Sequence, residues 1–205
     1  MRALGADVRV IGSGGEDAHA VARRFAAEHD AMMVVDGDEP ATAEGAGTIG
    51  LELLRWPESF DAILVPLGDG ALLGGISCWV KAHSPDVRMI GVCASGSPAM
   101  ERSWRAGRVV SAPAQTIAEG ISVDTPCAPA VANLAALADE VILVDDAALI
   151  AAMRLAHHDL GIVLELSGAA ALAALAVHTE HFRSLRVGIL LTGSNVSPEQ
   201  MRQWL

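Results

Sequence analysis

Residues 61–75, Asp-Ala-Ile-Leu-Val-Pro-Leu-Gly-Asp-Gly-Ala-Leu-Leu-Gly-Gly, constrain the fold more than any other stretch of the chain. A short continuous apolar run, a glycine-bearing turn and a helical pattern running to about Lys81 follow one another without a gap. That order is the strand–turn–helix half of a βαβ unit. The turn aims backbone N–H groups and the positive end of a helix dipole at one point, where an anion is favoured. The same pattern also describes a tight βα turn whose glycines serve geometry alone, and the local residues leave both readings open. Lys81, at the end of this stretch, is the one lysine in the sequence.

Further strand-like runs bounded by Gly, Pro and Asp lie at 7–11, 32–35, 87–92, 140–144 and 186–192. Helical patterns fall between them, at 16–28, 43–56, 71–82, 98–107, 128–138, 146–157 and 166–177. Alternation with short connections predicts an α/β fold, a mostly parallel twisted sheet with helices on both faces. In such sheets ligands bind beyond the carboxyl ends of the strands, so 68–72 and 193–196 are where chemistry is expected. The acidic turn 36–40 is either a lobe boundary or an ordinary solvated loop. Neither a low-complexity linker nor an internal repeat is present.

Composition excludes several classes. An apolar fraction of 52% argues against disorder. The apolar region 161–177 is interrupted by Glu165 and Ser167 and reads as a buried core helix, not a membrane span. No basic segment followed by an apolar one opens the sequence, so a cytoplasmic location is expected. The net charge of −11 opposes nucleic-acid binding. Cys78, Cys93 and Cys127 are odd in number and set in apolar surroundings, which fits buried thiols without a metal or disulfide.

A second glycine turn, Gly12-Ser13-Gly14-Gly15, follows the first strand-like run and has the outline of a dinucleotide fingerprint, with Asp36 as the ribose acid. Glu16 and Asp17 weigh against it, because they place two carboxylates where a pyrophosphate would sit. Like charges about 4 Å apart repel by roughly 4 kcal/mol at an effective dielectric near 20. The helix dipole returns only about 0.3–2 kcal/mol. These acids serve better as helix starters satisfying open N–H groups. By the same Coulomb argument, the carboxylate of Asp69 in the 68–72 turn must point away from any bound phosphate.

Several segments, in order, resemble the fold-type II pyridoxal-phosphate enzymes, in the branch of threonine/serine dehydratases (ammonia-lyases) and serine racemases. They are 1–6 (Met-Arg-Ala-Leu-Gly-Ala), 44–49 (Glu-Gly-Ala-Gly-Thr-Ile), 65–72 (Val-Pro-Leu-Gly-Asp-Gly-Ala-Leu) and 90–92 (Ile-Gly-Val). The set continues with 97–100 (Ser-Pro-Ala-Met), 116–121 (Thr-Ile-Ala-Glu-Gly-Ile), 165–169 (Glu-Leu-Ser-Gly-Ala) and 191–195 (Leu-Thr-Gly-Ser-Asn). The resemblance implies a tryptophan-synthase-beta-like fold, incomplete here, with residues 1–40 a remnant of the smaller lobe and 41–205 the larger, cofactor-binding lobe.

It also implies site residues. Gly68, Asp69, Gly70, Ala71 and Leu72 match the glycine-rich loop that holds the phosphate of pyridoxal 5′-phosphate, although Asp69 and Ala71 depart from the family's usual run of glycines. Thr192 matches the hydroxyl residue on the pyridine nitrogen, and Gly120 and Glu165 match positions lining the ring and its nitrogen side. A neutral hydroxyl does not hold that nitrogen protonated, which suits elimination chemistry. The acid that holds a structural cation in some racemase-branch enzymes is replaced by Cys93, and a further ligand position by Ala99, so no metal is expected.

The segment 1–6 resembles an internal piece of the family. The family's Ser-x-Lys, whose lysine forms the Schiff base and shuttles the α-proton, and its Ser-x-Gly-Asn-His carboxylate grip have no counterpart in this sequence. At 1.5 Å per residue Lys81 lies roughly 15 Å from Gly70 at an exposed helix end, away from the chemistry. No catalytic residue is therefore assigned. The expectation is the C-terminal portion of a threonine/serine ammonia-lyase-like enzyme, acting on a small hydroxy amino acid, holding its cofactor without covalent attachment and inactive as this chain alone. The alternatives are a non-catalytic or complementing subunit of a split enzyme, or a dinucleotide-binding module at 12–15. Exposed edges imply self-association or a complementing chain.

Overall fold

The computed structural model describes residues 1–11, 18–35 and 37–205. The chain forms two compact units, Met1–Val35 and Asp36–Leu205. The first carries helix α1 (Ala18–His29), where Phe25 stacks on His29 at 4.0 Å between ring centroids and lies under the Arg9 guanidinium at 4.4 Å. None of its described residues is buried. The runs 7–11 and 32–35 are not strands: among the described residues they pair with nothing, and Val10, Met32 and Val34 are exposed. A strand exists only where a neighbour takes up its N–H and C=O groups, so apolar patterning without a partner leaves extended coil.

The second unit follows the alternation in the sequence. In chain order it comprises α2 (Pro40–Leu53), β1 (Ala62–Pro66), α3 (Ala71–His83), β2 (Arg88–Ala94), α4 (Ala99–Ala106), α5 (Ala128–Leu137), β3 (Glu140–Val144), α6 (Asp146–Leu160), α7 (Ala170–Val177), β4 (Val187–Ile189) and α8 (Pro198–Trp204). The strands form a parallel sheet in the order β3-β2-β1-β4, with Leu64 opposite Ile90 and Ile189. Every residue of β1 is buried, as expected for a central parallel strand covered on both faces.

Alternate residues of β1 feed opposite faces. Ala62 and Leu64 join Ile90, Val92 and Val144 against α6 and α7, through Leu149, Met153 and Ala170–Ala174. Ile63 and Val65 join Met89 and Val141 against α3, α4 and α5, through Leu73, Ile76, Met100 and Leu134. The region 161–177 is thus a buried helix with a 3-10 turn, Ser167–Ala169, before it. Among the described residues no helix is long and apolar enough to cross a membrane. The cysteines are free thiols: Cys93 is buried as expected, but Cys78 is exposed on α3 and Cys127 half-buried. Cys78 departs from expectation because it lies on the face of α3 opposite the core residues Leu73, Ile76 and Val80.

Candidate functional site

The carboxyl end of β1 leads directly into the glycine turn. Leu67 N–H donates to Val92 O at 2.8 Å, which carries the chain one residue past the strand. Gly70 then adopts φ +103°, a left-handed conformation open to glycine, and caps α3. The helical ladder begins with Gly74 N–H donating to Gly70 O at 2.8 Å, so the N–H groups of Ala71, Leu72 and Leu73 precede it. One of them is taken: Ala71 N–H donates to Asp69 Oδ1 at 2.9 Å.

Close approaches join this turn to the other expected segments. A Cβ on Gly68 would lie 2.9 Å from Gly120 O. A Cβ on Gly120 would lie 3.0 Å from Ser167 Oγ and 3.5 Å from Glu165 Oε1. Glu165 N–H donates to Gly193 O at 3.1 Å, and its Oε2 accepts from Asn195 N–H at 3.2 Å. Thr192 N–H donates to Gly168 O at 3.3 Å, and a Cβ on Gly168 would overlap Thr192 O. Gly68, Gly120, Glu165 and Thr192 therefore sit on adjoining backbone segments, and the β1–β4 pairing closes the arrangement from below.

These groups do not share one cavity. Gly120 and Glu165 line a polar cavity of about 330 Å³ with Ser167, Asn195, Gln200 and Trp204. Gly70 and Ala71 line a larger, mainly apolar one of about 620 Å³ between α2, α3 and α5. Gly68, Asp69, Leu72 and Thr192 line neither.

The segment carrying Gly120 is tied at both ends. Thr116 Oγ1 and Ile117 N–H donate to the Asp146 carboxylate at 2.5 and 3.2 Å. The buried Ser97 hydroxyl donates to Val123 O and accepts from Val123 N–H, both at 2.8 Å. Sequence reasoning missed Ser97, Asp146 and Ser167 as supports of the site. It also missed α8, although Ser197-x-x-Gln200 is a capping box visible in the sequence and realised in the structure.

Lys81 lies in the last turn of α3, whose flanking residues Ala82 and His83 are exposed, but its own side chain is half-buried and engaged. Its ammonium donates to Val87 O at 2.9 Å and Pro85 O at 3.2 Å and pairs with Asp139 at 2.7 Å, with its side chain only 20% exposed. Asp139 in turn accepts from Met89 N–H at 2.6 Å. Lys81 thus fastens the end of α3 to the starts of β2 and β3, the edge of the sheet opposite the glycine turn. Cys93, at the other end of β2, has its thiol pushed up to about 12, first by burial and then by the Glu101 carboxylate. The 12–15 turn lies outside the described residues.

The family model for pyridoxal-phosphate dependent enzymes matches residues 1–193. An L-threonine ammonia-lyase of Geobacter sulfurreducens is 33% identical over 196 residues, covering 95% of this chain and 49% of that protein. Among solved structures, the processed form of threonine deaminase isoform 2 from Solanum lycopersicum superposes with a TM-score of 0.90 at 27% identity, over 98% of this chain and 60% of that one. A maize serine racemase gives 0.89 at 29%, over 98% and 63%. The chain thus spans about half to two thirds of the length of these three proteins.

Proposed function

The chain belongs to the family of pyridoxal-phosphate dependent enzymes, and on that premise we propose that it is the cofactor-cradling portion of a threonine/serine ammonia-lyase-like enzyme. The observation that supports this reading is the run of close approaches from Gly68 to Gly120, from Gly120 to Ser167 and Glu165, and from Gly168 to Thr192. These join segments far apart in sequence at the carboxyl edge of one parallel sheet, where α/β folds bind ligands.

The residues present fit a cofactor held without a covalent bond. The N–H groups ahead of Gly74 at the start of α3 are donors of the kind that bind phosphate. The glycine at 68 lets the turn pack directly against the Gly120 backbone, where a Cβ would clash. Thr192 offers a neutral hydroxyl for a ring nitrogen, and the Glu165–Asn195 bond steadies the turn that follows it. When bound, pyridoxal phosphate supplies an electron sink for charge developing at the α-carbon of an amino acid, the requirement for eliminating a β-hydroxyl. The chain's part is to bind the phosphate through Ala71 and Leu72 and to orient the ring through Thr192, with the loop at Gly68 braced directly against Gly120.

Attachment of the cofactor is a separate matter. Lys81 is the one lysine, and Asp139, Val87 and Pro85 occupy its three N–H groups. This engagement favours a second reading alongside the first, in which a complementing polypeptide supplies the amine. The test is equilibrium dialysis with pyridoxal phosphate up to about 1 mM, followed by borohydride reduction and peptide mapping. Reversible binding weakened in Thr192→Val, with no pyridoxyl group on Lys81, is the expected result. Absence of binding, or a stoichiometric adduct on Lys81 with turnover of serine or threonine, overturns the proposal.

A further inference from the structure

The phosphate cradle proposed above already contains an anion. Asp69 is half-buried in the turn, and its Oδ1 accepts the Ala71 N–H at 2.9 Å. That N–H is one of the donors ahead of the α3 ladder, so carboxylate and phosphate call on the same group. The backbone of residue 69 is also hemmed in. Gly37, at φ +77°, packs so closely that a Cβ on it would lie 2.9 Å from Asp69 O and 3.2 Å from Asp69 Cβ. Gly37 is itself anchored, its carbonyl accepting the Cys127 thiol at 3.1 Å. The backbone of residue 69 therefore has little room to retreat when a second anion arrives.

We infer that Asp69 is an affinity-setting residue of this cradle, whose carboxylate competes with the cofactor phosphate for the Ala71 N–H and repels its charge. The inference rests on the cofactor reading and deepens it. A phosphate monoester carries between one and two negative charges near neutral pH. At a few ångströms from a half-buried carboxylate, the repulsion is large enough to change affinity by about tenfold or more. The consequence is a chain that binds pyridoxal phosphate more weakly than its fold allows, and that discriminates less than a neutral loop between the phosphorylated cofactor and the phosphate-free aldehyde.

Two substitutions separate the components. Asp69→Asn removes the charge and keeps an acceptor for Ala71 N–H, whereas Asp69→Gly removes both. Dissociation constants for pyridoxal phosphate and for pyridoxal are measured by equilibrium dialysis on the full chain and both variants, at one fixed ionic strength. The expected result is about tenfold tighter pyridoxal phosphate in Asp69→Asn, at least as large a gain in Asp69→Gly, and no change for pyridoxal. Equal pyridoxal phosphate affinity in parent and variants overturns the inference and leaves the cofactor reading standing. An equal gain for both ligands also overturns it, since a loosened loop admits either. No binding of pyridoxal phosphate by any of the three proteins overturns the cofactor reading and the inference with it.

Discussion

Replacing Lys81 by Met tests whether the one lysine serves the fold or the chemistry. The substitution keeps an unbranched side chain of similar length and removes the ammonium with its three partners. Asp139 is 38% exposed and keeps its bond from Met89 N–H, so loss of the ion pair itself costs about 1 kcal/mol or less after solvent screening. Pro85 is exposed, and water replaces the donor to its carbonyl. Val87 is buried, and its carbonyl loses a charged donor at 2.9 Å, a loss of about 1–2 kcal/mol. The sum is about 1–3 kcal/mol, which lowers Tm by about 2–12 °C for a chain of this size. Thermal melts followed by circular dichroism measure the shift, and dialysis against pyridoxal phosphate on the same samples reports the site. Stability should fall while cofactor affinity stays level. A melting point unchanged within about 1 °C refutes the clamp. Lost cofactor binding with stability intact refutes the assignment of Lys81 outside the site.

Two glycines give opposite outcomes on replacement by alanine. At Gly168 the new Cβ meets the Thr192 carbonyl, and since both are backbone-fixed, Gly168→Ala should cost about 3 kcal/mol or more and weaken cofactor binding, read by urea unfolding and dialysis. At Gly74, inside α3, a Cβ meets nothing within 4 Å, so Gly74→Ala should raise stability by about 0.5–1 kcal/mol. The thiols should separate in the native protein at pH 8, where Cys78 reacts with iodoacetamide and Cys93 does not. With its thiol near 12, Cys93 is ionised there to about one part in ten thousand, and it is buried besides. Between pH 9 and 12 the unfolded chain loses this proton while the native one keeps it, so Cys93's contribution to stability falls as pH rises through that window.

The sheet was legible where apolar runs are bounded by glycine, proline or acid and followed by a helical pattern. The runs at 62–66, 87–92, 140–144 and 186–192 became β1 to β4, each within a few residues, because burial on both faces demands continuous apolar sequence. The runs at 7–11 and 32–35 carry the same composition and form no strand, since composition does not record whether a partner is alongside. Helix α8 was overlooked because it is short, seven residues, although a capping box and a proline in its first turn announce it.

For the candidate site, the resemblance of the ordered motifs to one family pointed to Gly68 to Leu72, Gly120, Glu165 and Thr192, and the fold brings the backbone segments of Gly68, Gly120, Glu165 and Thr192 side by side. The glycine turn alone left an anion site and a purely geometric βα turn both open, and the ordered motifs, not the turn, pointed to one family. What surrounds them was decided in three dimensions. The charge of Asp69 argued only that its carboxylate points away from any bound phosphate; the fold adds that it accepts the first N–H of α3, a donor the helical ladder leaves open, and that Gly37 packs against residue 69. Lys81 has the same charge wherever it points. Its identity as a clamp depends on Asp139, 58 positions later, lying at the start of the neighbouring strand. Local sequence carries propensity, spacing and charge, and these determined the elements and the motif. Which carboxylate meets which donor is set by the packing of elements remote in sequence, and only the folded chain brings those groups within hydrogen-bonding distance.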